Sequence, residues 1–184
     1  MKPLGVIVIV AITGLGLGVS IALQQAAAPR VQATMEEARA REWSSVLPVG
    51  SYDNQPLRHP LQLPTGDSFI RAAFLASREG KPCAVIFHSQ GQGYAGPVEL
   101  LVGVSIEGRL LGTKVLEQHE TPGMGTRIVT EPQWLQGLSE KSLNDGTFDQ
   151  IAGATITSRA VVAAIQNTLR YFDGHKAVLV GTQP

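Results

Sequence analysis

Cysteine is almost missing from this 184-residue chain. Cys83 is the only one, which excludes an intrachain disulfide and any metal site or cluster built on several thiolates. It sits in an apolar alternation, so a buried, inert core thiol is expected. Aromatic residues make up 5% and charged residues 16%, and fifteen basic side chains balance fifteen acidic ones. With no basic excess to attract a phosphate backbone, the composition speaks against nucleic-acid binding. The four histidines, His59, His88, His119 and His175, show no metal-ligand spacing, and no metal site is expected. No internal repeat or low-complexity tract is evident.

One long apolar run is present. Leu4 to Leu23 contains no charged residue, and as a helix it would extend about 30 Å, the thickness of a hydrocarbon core. Lys2 precedes it, so the positive-inside rule keeps the N-terminus cytoplasmic and exports the rest. Gly14 and Gly18 have small-xxx-small spacing, which suits a helix-packing face or the ordinary glycine content of a membrane helix. Ala26-Ala27-Ala28 has the look of a signal-peptide cleavage site. The length of the run, and Pro29 directly after Ala28, favour a retained anchor. The run has no ionisable side chain in its interior, so an ion path would belong to other proteins.

The expected organisation is an anchor over residues 1–28, a helical stalk and irregular linker over 29–64, and one exported domain over 65–184. Arg30 to Val46 has helical character without Gly or Pro, and Pro48 to Pro64 reads as irregular. Strands are expected at Phe69–Ser77 and Cys83–Ser89, joined by the hairpin turn Arg78-Glu79-Gly80-Lys81. Val98, Leu100, Val102, Val104 and Ile106 alternate strictly, which predicts a half-buried strand. Glu107-Gly108 turns the chain into a further strand, Leu110–Gln118. Thr130-Glu131-Pro132-Gln133 reads as a capping box opening a short helix, and Asp145-Gly146 as another turn. The fold class is α+β, with a mostly antiparallel sheet and packed helices behind a single transmembrane helix.

The chemistry concentrates late in the chain. Phe148-Asp149-Gln150-Ile151-Ala152-Gly153-Ala154-Thr155-Ile156-Thr157 places small residues before a hydroxyl and runs into a helix. Val162, Ile165, Leu169 and Phe172 recur on one helical face. Thr155, Thr157 and Ser158 are candidate N-caps, and Gly174 with His175 and Lys176 is the expected C-terminus. Ala177–Val180 is expected as a last short strand. A helix N-terminus offers unpaired N–H groups and the positive dipole end to an anion. Arg159, one turn on, is a candidate for a charge-assisted bond to it. Two glycine-rich segments accompany this one: Gly91-Gln92-Gly93-Tyr94-Ala95-Gly96-Pro97, and His119-Glu120-Thr121-Pro122-Gly123-Met124-Gly125. Such segments let backbone amides approach a planar ring closely, although each alone is equally a tight turn.

The string ending at Thr155 resembles the flavinylation motif of periplasmic FMN-binding domains, in which FMN is esterified through its phosphate to the threonine after Gly-Ala. It departs from that pattern at Ala152, where the family usually has Ser or Thr. Together with Val46-Leu47-Pro48, Gly93-Tyr94-x-Gly96, Leu100-Leu101-Val102-Gly103, Gly112-Thr113 and the 119–125 string, it resembles the G subunit of the Rnf (Rsx) ion-translocating electron transport complex. The related C subunit of sodium-pumping NADH:quinone reductases shares the anchor and the flavin threonine.

The resemblance implies an inner-membrane, single-pass redox subunit with a periplasmic domain. Its cofactor would be FMN attached covalently to Thr155, and no catalytic side chains of its own are implied. Gly153 and Ala154 would shape the turn, Asp149 would serve the attachment reaction, and Thr157 is the second candidate acceptor. Tyr94, His119, Glu120 and Thr121 are candidates to line the ring. The implied partners are the other subunits of the complex, which couples electron transfer between ferredoxin and NAD to ion movement, and an exported flavin transferase. A C-type reductase subunit, an anchored ligand-binding module without flavin, and an assembly subunit that has lost its flavin are the competing expectations.

Overall fold

The computed structural model describes residues 34–64, 69–123, 125–143, 148 and 151–181. The expected anchor, Asp149 and the Asp145-Gly146 turn lie outside the described residues. Among the described residues, no helix is long and apolar enough to cross a membrane. The chain divides after Arg41, and Glu42–Pro184 is one compact unit. Of the preceding unit, residues 34–41 are helical, with an exposed ion pair of 3.7 Å between Arg41 and Glu37. Helix α1 covers 34–44.

Four antiparallel strands form a simple meander in the order β1-β2-β3-β4. They are β1 (Ile70–Arg78), β2 (Lys81–Gln92), β3 (Pro97–Ser105) and β4 (Leu110–Glu117). The β1–β2 hairpin turns where expected, at Glu79 and Gly80, with φ of 52° and 71°. Positive φ at both central residues matches the right-handed twist of the flanking strands. The short helices α2 (Arg127–Thr130) and α3 (Pro132–Gln136) follow, and then the 26-residue α4 (Thr155–Val180). The α+β class with an antiparallel sheet is therefore observed.

Strand alternation sorts the sheet into two faces. Val85 and Phe87 of β2, with Val98, Leu100, Val102 and Val104 of β3, pack against Val161, Ile165, Leu169 and Phe172 of α4. Phe87 meets Tyr171 and Phe172 edge-on, with ring centroids 6.3 Å apart in each case. A Cβ added to Gly91 would stand 2.8 Å from the Ala160 carbonyl oxygen, so this glycine lets the helix backbone approach β2. The opposite face buries Ala76, Ala84, Ile86 and Leu101 beneath Val46 and Leu47.

Several expectations need correction. β3 is not half-buried: Leu101 is fully buried beside Val102, because the chain just after α1 covers the face that alternation assigned to solvent. The segment read as irregular is so apart from the short turn Pro56–Arg58, but it also edges the sheet. Leu61 N–H donates to the Ala73 carbonyl at 2.9 Å, and Leu75 N–H donates to that of His59 at 3.1 Å. The Asn54 side chain donates to Leu75 O and accepts from Ser77 N–H, each at 2.9 Å. These bonds satisfy part of the β1 edge that pairing with β2 leaves open. Gly174 does not end α4, which continues to Val180, so Ala177–Val180 is helical and no last strand forms. The burial of Leu179 favours continuing the helix over the modest penalty of one internal glycine. Thr130 is not an N-cap. It closes α2, and α3 starts after Glu131 without a side-chain cap. Gly91 and Gln92 belong to β2, which leaves residues 93–96 as the loop. Cys83 is only half-buried, its thiol donating to the Ala76 carbonyl at 3.3 Å.

Candidate functional site

Helix α4 starts without the hydroxyl cap its sequence suggested. The N-cap is Ala154, and no side chain caps it. The Ser158 hydroxyl instead accepts a bond from Ile151 N–H upstream, at 3.3 Å. The first intrahelical bond runs from Ser158 N–H to the Ala154 carbonyl at 2.9 Å, so the first-turn N–H groups of Thr155, Ile156 and Thr157 have no acceptor within the helix. The turn leading into them places Gly153 at φ 82°, a conformation that an L side chain rarely adopts.

These residues form one wall of a cleft of about 310 Å³. Gly153, Ala154, Thr155, Ile156 and Thr157 line that wall, and Tyr94, Glu120, Thr121 and Gly125 complete it. The folded chain thus brings together three segments that are far apart in sequence: the 93–96 loop, the 119–125 loop and the start of α4. Tyr94 is 70% exposed at its rim and Ile156 is 56% exposed, so apolar surface flanks the opening.

The two threonines of the motif have different environments. Thr155 is exposed and lines the cleft. Thr157 is 2% exposed, and its hydroxyl donates to Glu120 Oε2 at 2.6 Å. Glu120 is itself buried at 6%. Its other oxygen accepts from Ala95 N–H at 3.2 Å, and its own N–H donates to Gln118 Oε1 at 2.7 Å. One carboxylate therefore ties both loops to the first turn of α4. Two glycines make the room it needs. A Cβ on Gly125 would stand 2.5 Å from that of Glu120, and one on Gly93 would collide with Glu120 Oε1. The charge-assisted bond is of the stronger kind, and a buried carboxylate short of a donor is costly.

Two other expected site residues are not part of the cleft lining. The His119 side chain is 61% exposed, 3.4 Å from the Glu117 carboxylate, and is not among the residues lining the cleft. Arg159 is exposed and is likewise not part of that lining. The basic side chain at the turn is Arg127 of α2, which the sequence did not single out. Its Nη1 donates to the Ala152 carbonyl, and its Nε and Nη2 each lie 2.7 Å from Glu131 Oε1. Arg127 and Glu131 are four residues apart, so the ion-pair spacing was readable in the sequence, but its approach to Ala152 was not.

Residues 93–170 of this fold, which include the 93–96 loop, the 119–125 loop and the start of α4, match the family model described as an FMN-binding domain. The G subunit of the ion-translocating oxidoreductase complex of Pseudomonas aeruginosa is 41% identical, over 91% of this chain and 87% of that protein. The corresponding protein of Cereibacter sphaeroides is 37% identical, over 77% of this chain and 70% of that protein. Among solved structures, NqrC of Shewanella oneidensis aligns with a TM-score of 0.49 at 27% identity, over 58% of this chain and 61% of that one. The chain belongs to the Rnf-type family of G subunits of ion-translocating oxidoreductase complexes.

Proposed function

We propose that Thr155 carries FMN through a phosphoester and that the domain works as an electron-transfer subunit of a membrane complex. The coarser statement, an FMN-binding subunit of an ion-translocating oxidoreductase complex, follows from the family. The observation that carries the finer one is the contrast between the two threonines: Thr155 lines the cleft exposed, whereas the Thr157 hydroxyl is held by Glu120.

The residues present fit the group. Glycine and alanine before Thr155 leave space for a transferase to grip the backbone, and the uncapped first turn of α4 suits a phosphate. The loops at 93–96 and 119–125 supply a cleft for the ring, with Tyr94 at its rim. FMN bound there supplies one-electron acceptance and release, and the protein supplies attachment, orientation and exclusion of water. Attachment joins Thr155 Oγ1 to phosphorus, displaces the nucleotide of an activated flavin such as a flavin dinucleotide, and releases the hydroxyl proton to a base. Asp149 is the proposed contributor to that reaction. Tyr94, Glu120 and Thr121 are proposed to shape the ring site, Glu120 by holding the loops.

The same reading makes residues 1–28 the inner-membrane anchor, with the N-terminus cytoplasmic, residues 29–64 the stalk and linker, and residues 65–184 the periplasmic domain. Its partners are an exported flavin transferase and the other subunits of a complex that passes electrons between ferredoxin and NAD. Coexpression with the transferase should leave the denatured protein fluorescent on a gel, with the added mass on the Thr155 peptide. Thr155→Ala should abolish the signal and Thr157→Val should retain it. An unmodified Thr155 peptide under those conditions sinks the reading and favours a binding module without flavin.

A further inference from the structure

Resting on the reading of Thr155 as acceptor, we infer that Arg127 is the positioning residue that sets the acceptor turn. Three observations converge on it. Nη1 of Arg127 donates to the Ala152 carbonyl, the residue that opens the turn into Gly153 and Ala154. A Cβ on Gly153 would stand 3.4 Å from that same Nη1, so the guanidinium lies directly against the one residue of the turn with positive φ. The turn itself closes through Ala154 N–H donating to Ile151 O at 3.1 Å, so Ala152 and Gly153 are its central pair. Arg127 thus braces from α2 the two residues that direct the chain into Thr155.

Charge decides between two roles. An arginine beside an attachment turn is first suspected of holding the phosphate. Here the Nε–Nη2 edge is committed to Glu131, both nitrogens lying 2.7 Å from one carboxylate oxygen. The ion pair offsets the cation and fixes the plane of the guanidinium. What it then offers the turn is geometry more than net charge. The bond also bears on the departure at position 152. Arg127 grips a main-chain carbonyl, so an alanine there keeps the brace, and the exposed Ala152 side chain is not part of it. A lysine at 127 keeps the charge and loses the fork that is anchored on Glu131.

The test uses the full-length chain, purified without prior flavin, with flavin transferase and flavin adenine dinucleotide. Initial rates are read by in-gel fluorescence and the site by peptide mass. Arg127→Ala should lower kcat for incorporation about tenfold or more, as misplacing a reacting group does, with KM for the dinucleotide within twofold. Amide hydrogen exchange over residues 151–158 of the flavin-free protein should speed up in the same variant. Arg127→Lys should stay close to Arg127→Ala. Glu131→Gln, which leaves Arg127 in place but loosens it, should fall between these and the wild type. It carries the test if Arg127→Ala does not fold.

Wild-type rates and exchange in folded variants would overturn the inference while labelled Thr155 leaves the parent reading standing. A rise in KM at constant kcat, or full rescue by lysine, would overturn it in favour of direct phosphate binding. Absence of label on Thr155 in the wild-type chain would overturn the parent reading instead.

Discussion

The two faces of the sheet are covered by very different means. On one, the 26-residue α4 lays a continuous apolar stripe across β2 and β3, and the polar site sits at its uncapped start. On the other, a few residues after α1 suffice, because Gly103 and Gly112 are paired across β3 and β4 and admit backbone in place of side chains. The Val46 carbonyl oxygen would stand 2.5 Å from a Cβ on Gly103 and 2.7 Å from one on Gly112. Trp43 finishes that face, meeting Phe74 and His88 edge-on at 5.3 Å each. The helical face depends on the volume of its side chains, and the other face depends on the absence of two.

Four measurements break or sharpen that comparison. The largest effect belongs to the helical face. Leu169→Ala, at a site 1% exposed, should lower stability by about 2–5 kcal/mol in denaturant unfolding. On the other face an added methyl should do the harm, Gly103→Ala lowering stability by about 1–3 kcal/mol through overpacking. A Leu169→Ala loss below that of Gly103→Ala would reverse the ranking of the two faces.

The third measurement probes the polar end of α4. Thr157→Val leaves the buried Glu120 without its 2.6 Å donor and should lower the unfolding free energy by about 1–3 kcal/mol. Thr155→Ala, at an exposed position, should stay within about 0.5 kcal/mol of the parent. The order of these two variants in stability loss should be the reverse of their order in flavin loss. Equal stabilities would mean that Glu120 does not tie the loops to the helix.

The smallest effect lies at the half-buried Cys83, whose thiol burial pushes up from its ordinary pKa. A raised pKa means less thiolate at a given pH, so alkylation by iodoacetamide at pH 8 should be slower than for free cysteine and should recover on denaturation. Equal rates in the folded protein would show that the thiol is open to solvent.

The parts legible in sequence were those governed by near neighbours. The hairpin at 78–81 and the buried stripe of Val162, Ile165, Leu169 and Phe172 follow from turn chemistry and period, and both are present. The site was legible as three separate strings, and the cleft contains residues of each. What misled were local rules set against distant contacts. Gly174 and the basic residues after it look like a helix end, yet Leu179 finds a buried place and the helix runs on. Arg127, which no local pattern brings near residues 151–154, reaches that turn from another helix.

The sequence by itself determined the elements and the chemistry on offer: alternation makes the strands, the apolar stripe makes α4, and Gly153-Ala154-Thr155 places a hydroxyl at that helix start. Helical period already puts Thr157, in register with Val161 and Ile165, on the buried face and Thr155 off it. Only the tertiary structure decided what holds the buried hydroxyl: Glu120, 37 positions before Thr157, accepts its bond. A hydrogen bond between residues that far apart depends on how the loops cross, and no local pattern in the chain encodes that crossing.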